Sequence, residues 1–326
     1  MATLVTGGTG FVGANVIKDL ASNGHDVISF DINGPDQLLQ QFIGDAASKI
    51  TFVQGDIVDP DSIQLLGQQH QIDKIVHAAV YTVNRTALEI ERSRDVIAIN
   101  LEGTANLLEL ARTQKTKRFV YVSSGAAYGN ALPSDQTLNE ETPPAPGNLY
   151  GITKFSSEMI ARRYGELHGL STVSVRLSTP YGPMERVTGH RAVMSVFYDW
   201  TGRAMRGAPI SATDLSNGRD YTYISDIANG IRAVLDAASL RHDVYNITTG
   251  IWLTYRQILD AVVEVSPKTL VEDSSSRQID PGGENYSRGP LSGHRLFEDL
   301  GWTPKFDLKG GLADYIKWRE YSGFLD

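Results

Sequence analysis

Thr6-Gly7-Gly8-Thr9-Gly10-Phe11-Val12-Gly13 follows the short apolar run Leu4-Val5, so a glycine-rich turn stands between a first strand and a first helix. Glycines at 7, 10 and 13 suit three tasks: a tight turn, a bare backbone that a pyrophosphate can approach, and a close helix-to-strand contact. The helix N-terminus behind them turns unpaired N–H groups and a positive dipole end toward phosphate. An ordinary βα turn also uses glycine, so the reading needs its surroundings.

The helix reads from about Phe11 to Asn23 and ends at Gly24, a position that glycine favours. His25-Asp26-Val27-Ile28-Ser29-Phe30 then reads as a second strand closed by Asp31. An acidic residue about 20 positions past the glycines is where a ribose 2′-hydroxyl is held. Asp31 would repel a 2′-phosphate, and Ile32-Asn33-Gly34 bring no cation to bind one. The expected cofactor is therefore NAD rather than NADP.

At 326 residues and 41% hydrophobic composition, the chain can bury one large core or two modest ones. A net charge of −8 argues against nucleic acid or an anionic membrane as the main partner, since both require a basic surface. Without cysteine there is no disulfide, thiolate catalysis or cysteine-ligated metal. The N-terminus lacks a basic leader and no apolar run approaches roughly 18 residues, so a cytoplasmic location is expected.

Short β-branched runs recur at Ile50–Val53, Lys74–Val76, Arg118–Val122 and Thr172–Val175, alternating with longer helical patterns. This rhythm implies βαβ units and an α/β fold with a doubly wound parallel sheet, covered on both faces. Two long helices are expected, at about Asp95 to Thr113 and Leu149 to His168, the second entered through a proline-rich loop at Thr142–Asn148. After Ser178 the pattern loosens. The expected division is a dinucleotide-binding domain over 1–178, with 224–266 returning to its sheet, and a substrate lobe over 179–223 and 267–326.

Tyr150-Gly151-Ile152-Thr153-Lys154 puts a phenol and an ammonium one turn apart on one helix face. A nearby lysine and an oxidised nicotinamide both favour phenolate, which makes the phenol a usable base near neutral pH. In a chain with fourteen tyrosines the pair alone is as readily chance as chemistry. Ser124, at the carboxyl end of the Phe119–Val122 strand, should meet Tyr150 above the same sheet edge as the glycine turn. As a plain strand end, Ser123-Ser124 would only satisfy backbone groups.

Together the glycine turn, Asp31, Gly55-Asp56-Ile57, His77-Ala78-Ala79, Asn100, Ser124 with Tyr128-Gly129, Tyr150 with Lys154, and Arg219-Asp220-Tyr221 resemble one family. It is the extended short-chain dehydrogenase/reductases, in the NAD-dependent epimerase/dehydratase group typified by UDP-glucose 4-epimerase. The resemblance covers nearly the whole chain. It implies a Rossmann-type sheet with a smaller C-terminal substrate-binding lobe, and a homodimer formed through the two long helices. It assigns cofactor contacts to Gly7, Gly10, Phe11, Val12, Gly13, Asp31, Asp56, Ile57, Ala78, Ala79 and Asn100, with Tyr150 and Lys154 at the nicotinamide end. Catalysis falls to Ser124, Tyr150 and Lys154, and substrate binding to Ser124, Thr179, Arg219 and Arg288. The His77 side chain itself is expected to be packed, with only its backbone beside the cofactor.

Departures from the family pattern narrow the chemistry. Dehydrating relatives carry an Asp-Glu pair after the catalytic hydroxyl residue, where this chain has Gly125-Ala126, and decarboxylating relatives tend to carry glutamate at the Ala126 position. The 4-epimerases usually have asparagine where Thr179 stands. Arg219 and Arg288 suit a diphosphate or a carboxylate equally. Arg186, His190 and Arg191 would line the same mouth or form a solvated basic face. The open readings are a nucleotide-sugar (UDP-hexose-like) 4-epimerase, an NAD-dependent dehydrogenase of a smaller polyol, sugar acid or hydroxy acid, and a non-catalytic NAD-binding regulator.

Overall fold

The computed structural model describes residues 2–83, 85–129, 136–191, 194–212, 215–272 and 288–325. In chain order the strands are β1 Ala2–Thr6, β2 Val27–Asp31, β3 Ile50–Gln54, β4 Ile72–His77, β5 Arg118–Ser124, β6 Thr172–Leu177, β7 Thr179–Tyr181, β8 Ile210–Ser211, β9 Gly218–Tyr223, β10 Val244–Ile247, β11 Trp252–Thr254 and β12 Val271–Glu272. The α-helices are α1 Phe11–Ser22, α2 Gln37–Ile43, α3 Pro60–Gln69, α4 Thr86–Ile97, α5 Gly103–Gln114, α6 Leu149–His168, α7 Val196–Arg206, α8 Ile224–Asp236, α9 Tyr255–Val265, α10 His294–Leu300 and α11 Leu308–Ser322.

Seven strands make one parallel sheet in the order β10-β6-β5-β4-β1-β2-β3. Successive side chains point to opposite faces, and here both faces are apolar. Val5, Val76, Val120 and Val175 join α1 and α8 in one core. Leu4, Ile75 and Phe119 join α3 and α5 in the other. That explains why these strands read as unbroken hydrophobic runs rather than alternating ones. Strand order reverses between β1 and β4, which leaves a crevice beyond their carboxyl ends.

The first helix starts and stops where its sequence directs: Gly10 is its extended N-cap and Gly24 follows with φ +90°. Helix α6 spans its expected residues, with Asn148 accepting the Gly151 N–H at 2.8 Å. The helix expected from about Asp95 to Thr113 is instead two helices joined by a π-helical turn, Ala98–Glu102. Its apolar spacing could not reveal one residue extra to the α-helical repeat.

A second, three-stranded sheet, β11-β9-β7, carries an aromatic core that includes Tyr181, Phe197, Trp200, Tyr221, Tyr255 and Tyr315. The segment expected to return whole to the main sheet is divided. Helix α8 packs on α1 and β10 extends the main sheet, whereas β11 pairs with β9 and α9 buries Tyr255, Ile258 and Val262 in the aromatic core. Helical periodicity marks a buried face and not the surface it meets. Residues 273–287 of the expected lobe lie outside the described residues. Among the described residues no helix is long and apolar enough to cross a membrane.

Candidate active site

A cleft of roughly 630 Å³ opens at the carboxyl ends of β1, β2 and β4. Gly7, at φ +69°, turns the chain beneath it, and an added Cβ there would stand 2.7 Å from the Ala79 backbone. At Gly13 an added Cβ would fall 1.9 Å from the Gly7 carbonyl oxygen, so only glycine lets α1 approach the turn. At Gly10 an added Cβ would meet only the Gly7 carbonyl oxygen, a tight contact at 3.2 Å, and the residue lines the cleft. No side chain caps the start of α1, so its N–H groups point into the cleft.

Asp31 ends β2 at the rim, accepting the N–H groups of Thr9 and Asn33, each at 3.1 Å. Asp56, Ile57, Ala78 and Ala79 line the same cleft, as do Phe11 and Val12. A bare turn, an uncapped helix start and a rim carboxylate fit a dinucleotide. Asn100 is different. Its buried side chain bonds the Tyr81 backbone, at 2.8 and 3.2 Å, and Thr153 at 3.0 Å, outside the cleft lining. Its amide thus ties the strand-end backbone at Tyr81 to Thr153 of α6. His77 is packed as expected: Thr6 and Thr104 occupy its ring nitrogens at 2.7 and 2.9 Å, and burial lowers its pKa to about 3.

Ser124, Tyr150 and Lys154 converge beside this cleft. The Ser124 Oγ accepts the Ala126 N–H at 3.1 Å, and its hydroxyl lies close enough to the Tyr150 phenol to act on its ionisation. Lys154 lies buried beneath, donating to the Val122 carbonyl at 2.7 Å, with its Nζ 6.0 Å from the Tyr150 ring centre. Burial pushes the phenol above its ordinary range, opposed by the nearby Ser124 hydroxyl and the charges of Arg191 and Arg288. Burial also brings Lys154 down to about 7, opposed by Glu158. The phenolate expected from the Tyr–Lys spacing is thus not supplied by the protein's own groups. A cationic nicotinamide would be the missing contribution.

Sequence reasoning missed the support below these three. Glu158, one turn past Lys154, accepts both Nε and Nη2 of Arg176 from β6. It also accepts the Ser123 hydroxyl from β5. Lys-x-x-x-Glu spacing was a usable signal, since it puts both groups on one helix face.

The residues expected to bind substrate share a small recess, lined by Thr179, Arg219, Asp220 and Arg288. Asp220 is raised to about 6 by burial, against hydrogen bonds from Thr248 and the Leu291 N–H and the charge of Arg288. Arg186, His190 and Arg191 are elsewhere. They line the dinucleotide cleft, with Arg186 bound to Asp36, Arg191 to Glu185 at 2.9 Å, and the His190 carbonyl accepting the Thr82 N–H at 3.0 Å. Neither a substrate mouth nor a solvated face describes them: chain pairing at Thr82 carries this segment across the cofactor side.

Comparison with known proteins fits this geometry. The family profile described as NAD dependent epimerase/dehydratase family matches residues 3–248. A UDP-glucose 4-epimerase of Mycolicibacterium smegmatis is 27% identical, covering 97% of this chain and 98% of its own. A dTDP-D-glucose 4,6-dehydratase of Bos taurus is 26% identical over 97% of this chain and 87% of its own. The crystal structure of a Thermus thermophilus UDP-glucose 4-epimerase complexed with NAD superimposes with a TM-score of 0.81, at 27% identity, over 98% of this chain and 99% of that one.

Proposed function

This chain belongs to the NAD dependent epimerase/dehydratase family, and from that premise we propose that it is a nucleotide-sugar 4-epimerase, oxidising and re-reducing a secondary alcohol. The observation that carries the reading is the convergence of Ser124 and Tyr150 over the buried Lys154, whose ammonium donates to the Val122 carbonyl at 2.7 Å and stands 6.0 Å from the Tyr150 ring centre. When bound, the nicotinamide supplies the hydride acceptor and a positive charge that favours the phenolate. Tyr150 takes the proton of the substrate hydroxyl, and Ser124 donates to that oxygen as it becomes a carbonyl. Lys154, its Nζ 6.0 Å from the Tyr150 ring centre, adds its charge to that of the nicotinamide when it is protonated. Once the ketone has turned, return of the hydride to the opposite face of the same carbon, together with the proton from Tyr150, would give the epimer.

Gly125-Ala126 supports epimerisation over dehydration, because no acid–base pair follows Ser124 to eliminate water. Arg219 supports a substrate that carries phosphate. Exposed Ile90 and Ile97, with Ile152 and Met159 on α6, support a homodimer through these helices. Purified protein incubated with NAD and UDP-, dTDP- and GDP-sugars, beside free sugar acids and polyols, should form an epimer without net NADH. Stoichiometric NADH release from a free sugar acid or polyol would replace this reading with a dehydrogenase.

A further inference from the structure

We propose that Asp36 is a cofactor-specificity residue: it pins Arg186, and so withholds from the adenosine end of the cleft the cation that a 2′-phosphate would need. The choice it enforces, NAD over NADP, is independent of which substrate is oxidised.

Asp31 closes β2 with no cation among the three residues after it. Folding nevertheless brings one to its side. Arg186, which stands 150 residues after Asp36 in the chain, lines the same cleft as Asp31 and Asn33. Thr9 links the two charges: it donates its N–H to Asp31 at 3.1 Å, and its carbonyl accepts Nη2 of Arg186 at 3.3 Å. Among the described residues lining the cleft, the other guanidinium belongs to Arg191. That one is bound to the buried Glu185 at 2.9 Å and lies 5.0 Å over the Phe11 ring, at the start of α1. Of the two, Arg186 is the one at the ribose end marked by Asp31.

Asp36 decides what Arg186 faces. Its Oδ1 caps α2, accepting the Leu39 N–H at 2.9 Å, and its Oδ2 accepts from Nη1 of Arg186. The cap fixes the carboxylate on its own helix, so the long arginine side chain is drawn to it. Half of the Asp36 side chain and a fifth of the Arg186 side chain are open to water. A pair that wet adds little to stability, so its effect lies in where it aims the guanidinium. A planar fork takes phosphate through two parallel N–H donors, and a 2′-phosphate competes for it with Asp36. With Asp31 repelling the same phosphate, NAD, whose ribose carries a neutral hydroxyl there, is the form accepted.

Calorimetric titration with NAD and NADP tests this on wild type, Asp31→Asn, Asp31→Asn/Asp36→Asn, Asp31→Asn/Arg186→Gln and the triple variant. Asparagine at 36 keeps the helix cap, and removing the Asp31 charge first lets a gain at Arg186 be seen. Adding Asp36→Asn to Asp31→Asn should strengthen NADP binding at least ~10-fold while NAD binding changes by less than about threefold. The gain should shrink as salt is added and vanish when Arg186→Gln is present. No gain from Asp36→Asn would overturn the proposal. So would a gain that survives Arg186→Gln, which would assign it to lost negative charge rather than to a released guanidinium. Because binding is the readout, either outcome stands whether the enzyme epimerises or dehydrogenates its substrate.

Discussion

Glu158 and Arg176 meet in a two-point ion pair, with Nε to Oε1 at 3.0 Å and Nη2 to Oε2 at 2.6 Å, buried under the catalytic helix. Removing one partner strands the other charge, so Glu158→Gln should cost about 3–5 kcal/mol in urea unfolding. The same change removes the carboxylate that opposes the burial of Lys154, so the ammonium should lose its proton below about 7. The alkaline limb of the kcat/KM profile should then move to lower pH. Loss of stability with an unmoved limb would confine Glu158 to scaffolding.

Tyr150→Phe should lower turnover by about 10²–10⁴-fold, the range of a general base. NAD affinity should stay within a few fold, since the glycine turn and Asp31 are untouched. Rapid-quench product analysis beside cofactor titration separates the two effects. Near-normal turnover would remove Tyr150 from the proton-transfer role.

His77 titrates near 3 in the fold and near its ordinary 6.5 once unfolded. A base depressed by folding contributes stability above its unfolded pKa and loses it as pH falls toward the folded value. Unfolding free energy should therefore drop by about 1.4 kcal/mol per pH unit, for this one proton, between pH 6.5 and 3. His77→Asn should flatten that share of the slope when urea midpoints are compared at pH 7, 5.5 and 4.5. Identical slopes would refute a buried neutral imidazole.

The glycine turn offers a paired test. Gly13→Ala drives a methyl into the Gly7 carbonyl, where backbone must move, and should destabilise by ~3 kcal/mol or more. Gly10→Ala meets only the Gly7 carbonyl oxygen, at 3.2 Å, and should destabilise much less than Gly13→Ala while NAD affinity falls by more than ~10-fold. Differential scanning fluorimetry and NAD titration read the two. Equal melting shifts would mean that these glycines do not divide their labour.

These glycines were legible because their spacing encodes local backbone geometry, and the same holds for Asp31 at its strand end. The main sheet was legible for a related reason, since runs such as Phe119–Val122 state a double-sided burial. Glu158 and Arg176 were not, because an ion pair between residues from α6 and β6 leaves no periodic trace. Asn100 illustrates the intermediate case: its position was marked by the family pattern, yet its partners depend on a π turn that residue type does not announce. The Arg288–Gly125 contact joins a late loop to β5, and only the folded chain brings them together.

That π turn shifts the angular phase of α4, itself kinked at Arg92, against α5. One inserted residue turns everything before it by about 100° relative to everything after, on a helix of 3.6 residues per turn. Deleting a single residue from Ala98–Glu102 would restore regular pitch and swing α4 about its own axis. Glu89, which accepts the Leu149 N–H at the mouth of α6, would leave that contact. The backbone carbonyl of Asn100, which now accepts the hydroxyls of Thr104 and Ser157 together, would keep at most the first. Angular register in one helix thereby sets where the reactive phenol stands on another.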